Sequence, residues 1–171
     1  MANATAKKPV KSKKLKSLKS FNKLSDLLAV ALKEISKCER LKNVKVNMST
    51  WFTTNGKCEV CLAGSVMRGC LQRPHKDDWG GEYEYYPEDY DLDTAHKLDA
   101  LDRLRCGFVG TAAMLTHKNY AKASWVESDA LREQYTHLDR NVSGYGTTKS
   151  TREKWHEDMK KLLADLRKAG L

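Results

Sequence analysis

Residues 58–71, CEVCLAGSVMRGCL, constrain the fold more than any other stretch, because all but Glu59, Ser65 and Arg68 are apolar or small. An element that is apolar around most of its circumference is stable only when neighbours cover it on several sides. The segment therefore predicts a central helix, in which Ala63, Gly64 and Ser65 let adjoining backbones approach closely. Gly64 and Gly69 each weaken an isolated helix by about 1 kcal/mol relative to Ala, so burial has to supply its stability.

A central helix needs partners, and the chain supplies them. Over 22–42, Leu24, Leu27, Leu28, Ala31, Leu32, Ile35 and Cys38 recur at three- and four-residue steps, the pattern of an amphipathic helix with Cys38 as a buried thiol. A second such pattern starts at Thr94, a capping residue, and runs through Leu98, Leu101, Leu104, Phe108, Ala112 and Leu115, with Gly107 and Gly110 marking close packing or a kink. Residues 124–138 carry Leu131, Tyr135 and Leu138 as their buried row. The last helix opens on the capping box Ser150-x-x-Glu153, lines one face with Trp155, Met159, Leu162, Leu163 and Leu166, and closes near Gly170. Val44, Val46, Met48, Thr50 and Phe52 alternate along a short extended segment, for which no second run of equal quality offers a partner. The expected fold class is mainly α. It comprises a single helical domain of about five helices over 21–171, with at most one or two short strands, preceded by a basic disordered arm over 1–20.

Charge separates these regions. The formal net charge is +9, and seven lysines (Lys7, Lys8, Lys11, Lys13, Lys14, Lys16 and Lys19) lie in the first 20 residues without an acid. Removing them brings the charge to +2, so the body is nearly neutral. Residues 77–93 hold eight carboxylates and no Lys or Arg, within a long loop over 72–93. A loop of that length in a compact domain is often functional. Its aromatic residues make it the candidate partner-binding surface, with Trp79, Tyr83, Tyr85, Tyr86, Asp89, Tyr90 and Asp91 as contact residues. The lysine arm is the alternative, an electrostatic contact for nucleic acid.

Five cysteines, an odd number without regular spacing, read as reduced thiols. Cys58-x2-Cys61-x8-Cys70-x4-His75 offers a Cys3His zinc set as an alternative to buried structural thiols. Cys58, just after an Asn-Gly-Lys turn, would gain thiolate character if it opened a helix. The carboxylates Asp77, Asp78, Glu88, Asp89, Asp91 and Asp93 lack the spacing of a calcium loop. No phosphate-binding loop, dinucleotide fingerprint or nucleophile elbow is present. Enzyme activity and a bound cofactor are therefore not expected. No apolar run approaches the roughly 18 residues of a membrane span. The basic N-terminus lacks the apolar run of a secretory signal, so the chain reads as cytoplasmic, with no membrane partner.

Trp51 and Phe52, followed by CEVCLAGSVM at 58–67 and KLDALDRLRCG at 97–107, resemble segments of small accessory proteins from tailed bacteriophages. The resemblance covers 51–67 and 97–107 and carries no catalytic residue. It implies a phage protein in a bacterial host's cytoplasm. Such a protein binds and modulates a host protein or nucleoprotein complex, as an inhibitor of a host enzyme or defence system.

Overall fold

In the computed structural model the described residues are 14–54, 58–73, 84–118 and 120–171. Helix α2 (Leu62–Gly69) occupies the centre, as its composition requires. Leu62, Ala63, Gly64, Ser65, Val66 and Met67 are all fully enclosed. It is shorter than expected at its start, because residues 58–60 form a strand and Cys61 is the N-cap, its Sγ accepting from the Gly64 N–H at 3.3 Å. A Cβ on Gly64 would run into the Trp51 carbonyl oxygen, which also accepts the Cys61 N–H at 3.2 Å. Glycine here is the condition for that backbone-to-helix contact.

Helix α1 (Leu24–Cys38) lays its predicted stripe against α2 and against α3 (Leu92–Arg105). The long second pattern is two helices rather than one. Gly107, at φ +84°, breaks it between α3 and α4 (Val109–Thr116), and its conformation is one that L side chains rarely adopt. The α3 N-cap is Asp91, accepting from the Thr94 N–H at 3.2 Å, while Thr94 itself is buried. α5 (Trp125–Glu133) packs on α4 and stops five residues short of the predicted end, followed by a 3-10 turn at Thr136–Leu138. α6 (Lys149–Lys168) is capped by Thr148 instead of Ser150 and buries Trp155, Met159, Leu162 and Leu166 against α1. Gly170 follows it at φ +77°, in the left-handed conformation expected past a helix end.

The mainly helical class holds, with a small sheet added. Its strands are β1 (Val44–Val46), β2 (Phe52–Thr53), β3 (Cys58–Val60) and β4 (Glu84–Tyr85), in the order β1-β3-β2-β4. β1 runs parallel to β3, whereas β2 is antiparallel to both β3 and β4. The alternating segment thus finds its partner in residues 58–60, whose apolar character belongs to a buried strand.

Residues 14–20 also differ from their reading as arm. Leu15 bridges to Leu71, its N–H donating to the Cys70 carbonyl and its carbonyl accepting from the Gln72 N–H, both at 2.8 Å. Leu18 is fully buried. Its N–H donates to Thr94 Oγ1 at 3.1 Å, and its carbonyl accepts from the buried Lys97 Nζ at 3.1 Å. The buried Leu18 side chain and four hydrogen bonds fix this stretch to the body despite its lysines, while the Leu15 side chain stays exposed. Among the described residues, no helix is long and apolar enough to cross a membrane.

Candidate functional site

The residues singled out from sequence have separate fates. Trp79, Tyr83 and His75 lie outside the described residues, as do Lys7, Lys8, Lys11 and Lys13. Tyr85 is fully buried and stacks on Phe52 with ring centroids 5.0 Å apart, while the Arg73 guanidinium covers both rings. It is a core residue of β4, not a surface anchor, because the strand alternation turns it inward and leaves Glu84 outward. Asp89 and Asp91 are occupied locally. Asp89 Oδ2 accepts from the Tyr86 N–H at 2.9 Å, and Asp91 caps α3. Tyr90 is partly buried against the core, and burial pushes its hydroxyl pKa far up. Tyr86 remains exposed.

Cys38 and Cys58 lie near each other, both beside Arg68. Cys61 is buried at the α2 N-terminus, and desolvation pushes its thiol up to about 11, overriding the helix-end amides that favour a thiolate. Burial likewise raises Cys38, Cys58 and Cys70. Cys38 and Cys58 share Arg68 as a neighbour, whereas Cys70 faces Glu34, Lys37, Lys14 and Lys33. Among the described residues, no three His, Cys, Asp or Glu side chains are grouped to hold a metal ion.

Two surface features stand out instead. The first is α5, which has no buried residue. Its first two residues, Trp125 and Val126, are 81% and 72% exposed. Trp125 lies beside a cleft between α4 and α5 lined by Thr111, Met114, Tyr120, Asp129 and Arg132. The helix does not need these side chains in a core. It is held locally by the Ser124–Glu127 capping box and by an Arg132–Asp129 ion pair of 2.7 Å. Sequence reading missed the site, although a signal was present. Trp125 falls off the Leu131, Tyr135 and Leu138 row, so the helix had nowhere to bury it.

The second is a groove of about 830 Å³ between β1, the loop at 145–147 and the first two turns of α6. At one wall Glu39 Oε1 bridges the Tyr145 hydroxyl, at 2.7 Å, and His156 Nε2, at 2.8 Å. Trp155 backs the pair, edge-on to both rings at 5.2 and 5.0 Å. Burial and then the Glu39 hydrogen bond push the Tyr145 hydroxyl pKa up, so it stays a donor. The carboxylate orients His156 as a proton carrier would be oriented, but among the described residues Glu39 is its hydrogen-bond partner and no hydroxyl or thiol is bonded to it. Glu39 lies 106 and 117 positions from its two partners, so no local motif announced the group.

A third cluster surrounds Lys14. Lys14 Nζ donates to the Arg68 carbonyl at 2.6 Å. Its pKa is lowered, first by burial and then by the Arg73 and Arg68 charges. Lys33 and Lys37 act on the adjoining Cys70, and Glu34 is the acid among them, paired with Lys37. Comparison with known protein families, with curated proteins and with solved structures finds no match.

Proposed function

We propose that the chain is a non-enzymatic binding protein that engages and modulates a host protein or nucleoprotein complex, with α5 presenting its anchor. The observation that carries this reading is Trp125, 81% exposed beside Val126 on a helix that buries nothing. An aromatic of that size supplies large contact area at low side-chain entropy, and Trp is the residue most enriched among binding hot spots. The cleft beside it, with Asp129 and Arg132 at the rim, suits an apolar centre surrounded by polar groups.

The resemblance to accessory proteins of tailed bacteriophages supports a bacterial host as the source of the partner. Its segments fall on Phe52, Val60, α2 and α3, whose apolar residues are in the core, so the likeness bears on the scaffold and leaves the binding surface open. The test is quantitative capture from a bacterial lysate, with and without nuclease, on immobilised wild type and a Trp125→Ala, Val126→Ser variant. Retention of the same protein by the wild type after nuclease, and its loss from the variant, is the expected result. Equal capture by both would remove α5 from the interface.

A second reading, contact with nucleic acid, is favoured by the Lys14, Arg68 and Arg73 cluster that continues the lysine arm. It predicts capture that nuclease abolishes and an affinity that falls steeply with salt, by a slope of roughly 0.9 per duplex phosphate contacted.

A further inference from the structure

The groove between β1 and α6 is a candidate site of its own, independent of α5. Among the described residues β1 is an edge strand, since the sheet order places β3 on one side and no strand on the other. The Cys58 N–H donates to the Asn43 carbonyl at 3.2 Å, and the Asn47 N–H donates to the Val60 carbonyl at 2.9 Å. Residues 43, 45 and 47 therefore face β3. Backbone groups alternate direction along a strand, so those of Val44 and Val46, both in the groove lining, point away from β3. The Val44 N–H is used by the Leu41 carbonyl at 3.4 Å. That leaves the Val44 carbonyl and both backbone groups of Val46 on the open edge.

The groove's charge specifies what would lie there. Its lining carries four cations, Lys42, Lys45, Lys149 and Arg152, against the carboxylates Glu39 and Glu153. Glu39 is engaged by Tyr145 and His156, and Lys149 sits 3.7 Å from Glu153. Lys45 pairs with Glu59 across the strands at 2.6 Å. Among the described residues, Lys42 and Arg152 have no carboxylate partner. The α6 N-terminus, where Thr148 caps the Thr151 amide, adds positive potential along the same wall.

We propose that this groove binds an extended acidic peptide, which adds to β1 as a further strand of the sheet. An extended chain supplies both the N–H donors that the Val44 and Val46 carbonyls need and a carbonyl for the Val46 N–H, while its carboxylates meet Lys42 and Arg152. A nucleic-acid backbone would satisfy the cations but would bring phosphate oxygens, acceptors only, to an edge that presents carbonyl oxygens.

The experiment uses the full chain and a fluorescein-labelled peptide of alternating Glu and Thr, followed by anisotropy across a salt series. The wild type should bind it saturably, and a matching Lys–Thr peptide should not bind. Val46→Pro removes the outward N–H without breaking a bond to β3, and Arg152→Glu reverses a groove charge. Each should weaken binding by about tenfold or more, and Arg152→Glu should also flatten the salt dependence. Methylating alternate amides of the peptide should weaken binding comparably with the protein unaltered, which keeps the test valid if Val46→Pro does not fold. Trp125→Ala should bind the peptide as the wild type does, so the α5 reading can fail without touching this one. Absence of binding, or binding equally tight to both variants and by the methylated peptide, would overturn the proposal. So would an oligothymidylate that binds through Arg152 where the peptide does not.

Discussion

Helices α2 and α5 are nearly equal in length, eight and nine residues, and each begins on a side chain that accepts an amide of its first turn, Cys61 in one and Ser124 in the other. They differ in what holds them. α2 has one charged residue, Arg68, and six enclosed ones. α5 has four charged residues (Glu127, Asp129, Arg132 and Glu133) and none enclosed. One is a helix because the rest of the protein surrounds it; the other packs on α4 along one side and is held by its cap and an ion pair on its own surface. The lesson concerns apolar residues. In α2 they are explained by the fold, whereas Trp125 and Val126 in α5 are left largely exposed. The same contrast predicts how each helix responds to substitution.

The largest effect should come from Gly64→Leu. Any side chain there collides with the Trp51 carbonyl, which is backbone and cannot swing aside. Overpacking of this kind costs roughly 1 to 3 kcal/mol, and collision with backbone places the variant at or beyond the upper end. Urea denaturation should show a midpoint shift of that size or loss of a cooperative transition. A variant as stable as the wild type would mean that α2 is not gripped as the structure describes.

Leu18→Ala should come next, at about 2 to 4 kcal/mol, because it empties a fully enclosed site. The same reasoning separates two truncations. Deleting 1–20 removes Leu15 and Leu18 with their four hydrogen bonds and should destabilise the fold. Deleting 1–13 leaves those contacts in place. Equal melting temperatures for the two truncated chains would return residues 14–20 to the arm.

The buried cap gives a pH signature. The Cys61 thiol is raised from an ordinary 9.0 to about 11 in the folded protein by burial. Between those values the unfolded chain loses the proton and the folded one keeps it, so stability falls as pH rises through this window. At 1.36 kcal/mol per unit the loss approaches about 2 to 3 kcal/mol. Burial raises Cys38, Cys58 and Cys70 in the same direction, so the measurement is the difference between wild type and Cys61→Ser, which keeps a capping oxygen and lacks the titration. Identical alkaline stability curves would show that Cys61 does not titrate as an enclosed thiol.

How far the sequence foretold this arrangement depends on the range of the interactions involved. The stripe on α1, the buried row on α6 and the close approach at Gly64 are local periodicity or local steric need, and all were legible. Residues 58–60 were misread because a short apolar run does not distinguish strand from helix; pairing with Val44 and Val46 decided it. The backbone pairing of Leu15 and the burial of Leu18 were hidden among lysines, since they depend on Cys70, Thr94 and Lys97, up to 79 positions away. Tyr85 turned inward for the same reason, through Phe52. The groove is the extreme case, assembled from Glu39, β1, Tyr145 and His156 with no motif in any one segment.

The smallest effect on the fold should be that of Trp125→Ala, and its smallness is what makes it decisive. The indole is 81% exposed, so truncation empties no enclosed cavity, and Ala is the better helix former. A surface substitution away from any buried network changes stability by about 0.5 kcal/mol or less. Thermal and urea unfolding of Trp125→Ala should therefore overlay the wild type within that range. The corresponding change in α2, Met67→Ala at a fully enclosed position, should cost roughly 2 to 5 kcal/mol. If Trp125→Ala instead destabilises by more than about 1 kcal/mol, the indole is part of the fold, and the contrast between the helices fails. If stability is unchanged while capture of a lysate protein is lost, the exposed indole is accounted for by binding alone.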